Sequence, residues 1–187
     1  MKKTELTHYQ GNEILKKRKS IRAFNDTIPS MDDITSLFEA ARWAPSSSNN
    51  QPWRYIYATK SDEIKFQKIL DCLMEGNQSW ASKAPLLIIS LAQKLTNTGK
   101  EYRHHLYDTG AANMALALQA TSLAMQAHTI GGFYIEKVLN TFQIDDALEP
   151  VVIMAVGYPG DINTLPEPLR VKENVRERFE LDRLILK

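Results

Sequence analysis

Ala44-Pro45-Ser46-Ser47-Ser48-Asn49-Asn50-Gln51-Pro52-Trp53 separates a helical pattern from a strand pattern. Between its two prolines the side chains are all small hydrogen-bonding groups or amides, the composition of a turn. Upstream, Ser30-Met31-Asp32-Asp33 matches a capping box, and Ile34, Leu37, Phe38 and Ala41 follow at i, i+3, i+4 and i+7. That spacing predicts an amphipathic helix stopped before Pro45. Downstream, residues 53–58 are rich in aromatic and β-branched side chains, which predicts a strand.

Farther out, Ser61 opens a second helical pattern with Phe66, Ile69, Leu70, Leu73 and Met74 on one face. Residues 86–91 and 151–156 are short, continuous apolar runs. Pro85 precedes the first, while Pro150 and Gly157 bound the second. Both predict strands buried on two faces. The longest helical pattern covers 107–127, and Ala111 to Ala120 within it is apolar nearly all round. A helix with no polar face is either central to the fold or packed against a partner chain. A shorter helix is expected over 136–142, after Gly131-Gly132. The tail from Asp161 is polar, carries Pro166 and Pro168, and is expected to run over a surface before Arg176. No internal repeat or domain boundary is visible. The reading is one α+β domain over 1–187, a small, mainly antiparallel sheet flanked by helices.

Composition narrows the function. Lys and Arg number 23 against 22 for Asp and Glu, a formal net charge of +1. A balance this even gives no global pull toward nucleic acid or an anionic membrane, so any charge recognition must be local. Cys72 is the single cysteine, which excludes an intramolecular disulfide and a multi-cysteine metal site. Met1-Lys2-Lys3-Thr4-Glu5-Leu6-Thr7 begins basic with no apolar run after it, so no signal peptide is expected. No apolar stretch reaches membrane-spanning length. The expected compartment is the reducing cytoplasm.

Local chemistry begins at Lys16-Lys17-Arg18-Lys19-Ser20-Ile21-Arg22-Ala23-Phe24. Arg18, Ser20 and Arg22 share a side if the segment is extended, and positions 18 and 22 are neighbours if it is helical. Two guanidinium groups and a hydroxyl suit a phosphate. A solvated basic face is the plainer reading, and a nucleic-acid patch is a third. The 45–53 segment could line a polar ligand with hydroxyls, amides and backbone N–H groups, or be a surface loop. His104-His105 with Asp108 offers too few ligands for a metal site, so no metal is expected. His128 and Cys72 read as structural or packing residues.

The two constellations together carry a resemblance. Arg-x-Ser-x-Arg-x-Phe followed about 20 residues later by Ala-Pro-Ser-x-x-Asn-x-Gln-Pro-Trp resembles the flavin-dependent nitroreductase family. The likeness continues through Asn77, Ala84-Pro85, Tyr107-Asp108-Thr109-Gly110-Ala111-Ala112, Ile130-Gly131-Gly132-Phe133, Gly157-Tyr158-Pro159 and Arg176-x-Arg178. It implies a nitroreductase-like fold in an intertwined homodimer, with one FMN at each of two interface sites. By the same resemblance Arg18, Lys19, Ser20 and Arg22 contact the phosphate and ribityl chain, and Arg176 and Arg178 complete phosphate binding. Pro45, Ser46, Ser47 and Asn49 are similar to residues offered to the flavin by the other subunit. Asn77 is similar to an amide at the pyrimidine edge. Ile130 and Gly131 are similar to the turn whose Gly131 N–H faces the reactive ring nitrogen. Where some members carry a ring-side lysine, this sequence has Trp80.

The implied activity is ping-pong reduction of nitroaromatics, quinones or similar electron-poor acceptors by NADH or NADPH. Flavin chemistry belongs to the cofactor, so no side chain is named as catalytic. The absence of a Gly-x-Gly-x-x-Gly or Walker sequence agrees with nicotinamide bound only transiently. Relatives of this fold also catalyse reductive dehalogenation or flavin fragmentation, and a non-catalytic flavin-binding role is a further alternative.

Overall fold

A computed structural model describes residues 12–185. The N-terminal residues read above for a signal peptide lie outside them. Among the described residues, four strands form one sheet: β1 (Trp53–Thr59), β2 (Leu86–Gln93), β3 (Gln126–Ile130) and β4 (Leu148–Gly157), in the order β1-β2-β4-β3. Every adjacent pair is antiparallel. The α+β expectation holds.

The central strand β2 is apolar on both faces because both are covered. Leu87, Ile89 and Leu91 join one core, with Ile153 and Ala155 of β4, while Leu86 and Ile88 join another, with Met154 and Val156. On the first side pack α3 (Glu63–Asp71), α4 (Glu75–Ala81) and α6 (Ile135–Phe142), through Phe66, Ile69, Leu70, Trp80, Ala81 and Val138. On the second pack α2 (Met31–Arg42) and α5 (His105–Ser122), through Ile34, Leu37, Ala112, Leu116 and Ala120. The Ser30 hydroxyl accepts from Asp33 N at 3.1 Å and the Asp33 carboxylate accepts from Ser30 N at 3.3 Å, so the capping box forms as read.

Several boundaries move for local reasons. β4 runs back through Pro150 to Leu148, since the register shifts between Ser90 and Leu91 and the irregularity tolerates a residue with no N–H. The 107–127 pattern splits, with a helix that starts at His105 and stops at Ser122. Ala124 takes a left-handed φ of 60°, Ala124 N donates to Thr121 O at 3.2 Å, and Met125 N donates to Ala120 O at 2.8 Å. That Schellman closure turns the chain into β3. The second helix starts at Glu63, two residues past Ser61, capped by Asp62, and ends at Asp71. Leu73 then bridges Phe133, and Met74 caps α4, a helix with no apolar period to announce it. The tail is more ordered than expected: α7 (Glu167–Asn174) follows Pro166. Among the described residues no helix is long and apolar enough to cross a membrane.

Candidate functional site

A short helix, α1 (Glu13–Lys17), ends in the basic run, and Arg18 leaves it with φ −58° and ψ 127°. From there the chain is non-helical, with Ile21 and Ala23 buried. Side chains of β3 hold this segment. Gln126 Oε1 accepts from Lys19 N at 2.6 Å, and His128 Nδ1 donates to Ile21 O at 2.8 Å. The end of β4 holds its far side, where Phe24 bridges Pro159 and Gly160 N donates to Ala23 O at 2.9 Å.

Arg18, Lys19, Ser20 and Arg22 form one wall of a cleft of about 700 Å³, and residues 171–178, with Arg176 and Arg178, form the other. The structure therefore brings into one cleft the six residues from the two ends of the chain that the resemblance implies as phosphate and ribityl contacts. Arg18 Nη1 donates to Ser20 Oγ at 3.4 Å. Burial first, then the charges of Arg176 and Arg178, lowers the Arg18 guanidinium from its ordinary value; burial and Arg178 lower Arg176. Like charges gathered in a partly desolvated cleft favour an anion between them. The donor set, guanidinium forks plus a hydroxyl, fits a phosphate ester.

Two details were not legible in sequence. Arg176 also caps α1: Nη2 donates to Leu15 O at 3.2 Å and Nη1 to Lys16 O, satisfying carbonyls at a helix end. Glu173 of α7 enters the cleft with its side chain only 7% exposed. It accepts from Arg22 N at 2.5 Å and lies 3.7 Å from the Arg22 guanidinium.

The 45–51 segment is a tight turn around a 3-10 stretch, Ser47–Asn49, with Ser48, Asn49 and Gln51 at φ of 51°, 52° and 48°. Pro45, Ser46 and Ser47 line a second cleft of about 380 Å³ with His104, Tyr107 and Asp108. Asn49 is exposed on the turn. Within one chain the two clefts share no residue.

Asn77 and the 130–133 turn meet on the first core's side. Asn77 Nδ2 donates to Gly132 O at 3.0 Å, and Met74 N donates to the same oxygen at 3.0 Å. A Cβ on Gly132 would lie 2.6 Å from Asn77 Nδ2, whereas one on Gly131 would meet nothing within 4 Å. Gly131 thus leaves open ground beside the amide, and Ile130 is buried in the core.

Trp80, 3% exposed, packs its ring 4.5 Å from that of His128, and the Arg22 guanidinium carbon lies 5.7 Å over the indole. Burial first, then Arg22 and Arg18, depresses the His128 imidazole to about 4 against the pull of the Ile21 carbonyl. In the unfolded chain the ring protonates near its ordinary 6.5. Between those values the unfolded state binds more protons, so stability falls as pH drops through the window. Between pH 7 and 5 the wild type is expected to lose roughly 1–2 kcal/mol more than His128→Gln, measured as urea midpoints. Equal losses would remove His128 as the cause.

The metal reading does not gain. His105 bonds Tyr102 O and Glu149 through its two ring nitrogens, at 2.6 and 2.9 Å. Asp108 serves Ser47 and Tyr102, and among the described residues no cluster of three metal-ligating side chains occurs. Cys72 caps α3, fully buried, and burial raises its thiol, as suits a packing residue.

The profile of the Nitroreductase family matches residues 15–158. A solved oxidoreductase containing FMN is 32% identical and superposes with a TM-score of 0.92 over 97% of this chain and 93% of that one. Iodotyrosine deiodinase of Thermotoga neapolitana is 26% identical, covering 89% of this chain and 96% of the relative. The FMN reductase [NAD(P)H] of Bacillus subtilis is 24% identical, covering 80% and 67%. The profile spans well over half of the chain, which belongs to the nitroreductase family.

Proposed function

We propose that the chain is an FMN-dependent oxidoreductase that uses NADH or NADPH to reduce nitroaromatics, quinones or similar electron-poor acceptors. The observation that carries this is the cleft where Arg18, Arg22, Arg176 and Arg178 converge with Ser20, with Arg18 and Arg176 both partly desolvated. Arg18, Lys19, Ser20, Arg22, Arg176 and Arg178 would hold the phosphate and ribityl chain. Asn77, whose Nδ2 is committed to Gly132 O, would keep Oδ1 to accept from an N–H of the ring edge. Ile130 would fix the turn on which Gly131 leaves room for the ring. Pro45, Ser46, Ser47 and Asn49 would face the FMN of a second chain in a homodimer. The exposed Tyr107 and Met114 of α5, seven residues apart, give that assembly an apolar face.

FMN, when bound, supplies hydride acceptance and onward electron transfer. The chain's part is to bind and orient it, and no side chain is assigned proton transfer. With one cysteine, buried, and a near-neutral charge, the cytoplasm is the compartment in this reading, without membrane or nucleic acid as partner. The likeness to a deiodinase favours reductive dehalogenation as the second reading.

The test is anaerobic stopped-flow of the FMN-loaded protein with NADH and with NADPH, then with a quinone and a halophenol. Bleaching of the flavin by a nicotinamide and recovery with quinone is expected. Recovery with halophenol alone would install the second reading, and a protein that takes up no FMN would overturn both.

A further inference from the structure

Asp108 lies in the first turn of α5 and is 4% exposed; Tyr102 is 3% exposed. The Tyr102 hydroxyl donates to Asp108 Oδ2 and lies 3.1 Å from Ser47 O. Ser47 N donates to the same Oδ2 at 2.9 Å. Ser47 N is therefore held by Asp108, whose carboxylate is in turn held by Tyr102, a buried side-chain pair from a different part of the chain whose one hydroxyl proton lies within reach of both Asp108 Oδ2 and Ser47 O. Burial first, then Asp108, pushes the Tyr102 phenol up to about 12, so it stays a donor throughout the neutral range.

The turn held in this way needs holding. Ser48, Asn49 and Gln51 all adopt positive φ although each carries a Cβ. Such residues persist only when the surroundings over-determine them. Inside the turn, Gln51 N donates to Ser46 Oγ at 3.0 Å and Asn50 Nδ2 to Ser47 O at 2.7 Å. Asp108 and Tyr102 supply the tie to the body of the fold, through a carboxylate near the positive end of α5.

We propose that Asp108 and Tyr102 are positioning residues that set the shape of the 45–51 turn, and through it the face that Ser46, Ser47 and Asn49 offer to the FMN of a second chain. This rests on the function proposed above. The pair touches no cofactor itself and acts through Ser47. Asp108→Asn keeps the volume but places one oxygen and one amide where two donors need an acceptor. Tyr102→Phe keeps the ring and removes the hydroxyl.

The experiment uses differently tagged chains, refolded as mixed dimers, with FMN titrated by fluorescence quenching and visible circular dichroism. Each homodimeric variant is expected to bind FMN roughly tenfold more weakly than wild type, as for one or two lost buried hydrogen bonds. The visible dichroism should also change. A mixed dimer of Asp108→Asn with Arg18→Ala should regain one wild-type site per dimer. One of its sites combines both faults, while the other takes its arginine and its turn from undamaged segments. Misfolding of the variant chain would not be rescued in this way, and Tyr102→Phe, which keeps the core filled, repeats the test. Wild-type affinity in both homodimers, or mixed dimers with no tight site, would overturn the proposal. Wild-type protein that binds no FMN would instead sink the function on which it rests.

Discussion

Gly160→Ala is expected to cost about 3 kcal/mol of stability or more, and to disturb the basic cleft at the same time. A Cβ there would lie 2.4 Å from Phe24 C, 2.5 Å from Phe24 O and 2.8 Å from Asn25 N. All three are backbone atoms, which cannot swing aside as a flexible side chain can. Gly160 has no unusual φ to explain it, so the requirement is close approach of two chain segments. The approach serves the site. Gly160 N donates to Ala23 O, Asn25 N donates to Tyr158 O at 3.1 Å, and Phe24 bridges Pro159. These contacts fasten the segment that carries Arg18, Ser20 and Arg22. Pushing it away would break them and open the core at Phe24. Gly76→Ala is the control, because it lies within a helix and its Cβ would meet nothing within 4 Å. It is expected to be neutral or stabilising by up to about 1 kcal/mol. Urea midpoints of the two variants check the contrast, and a Gly160→Ala midpoint equal to wild type would refute the account.

How much of this was readable beforehand depends on how local each cause is. β2 announced itself because an apolar run under Pro85 can satisfy two covered faces and little else. α2 did so through Ser30 and Asp33, which bond each other. The end of α5 gave no signal, since Ala124 takes a left-handed conformation usually left to glycine, and tertiary packing overrides its propensity. In the site, alternation of Arg18, Ser20 and Arg22 was visible, as was the Arg176–Arg178 pair. Glu173 was not, because its meeting with Arg22 spans 151 positions and depends on where α7 docks. Asp108 stood beside two histidines as part of a set too small to hold a metal, and only the fold reveals that Ser47 and Tyr102 engage it.

Arg18→Ala is expected to weaken FMN binding by roughly 1.5–3 kcal/mol, a 10- to 150-fold rise in the dissociation constant. Within the cleft the Arg18 and Arg176 guanidinium groups oppose one another, and partial burial weakens the screening between them. A phosphate relieves that repulsion while accepting their hydrogen bonds, so the loss of one arm removes attraction and geometry together. The affinity should also fall with added salt, and less steeply for the variant. Glu173 supplies a contrast of opposite sign. Its carboxylate meets Arg22 from α7, so it competes with a phosphate for the same positive charge. Glu173→Gln keeps an oxygen to accept from Arg22 N and removes the charge, and is expected to tighten FMN binding by about 0.5–1 kcal/mol. Isothermal titration at two salt concentrations reads both variants. An unchanged constant for Arg18→Ala would remove Arg18 from the site, and weaker binding by Glu173→Gln would make Glu173 a brace for Arg22 instead of a rival to the phosphate.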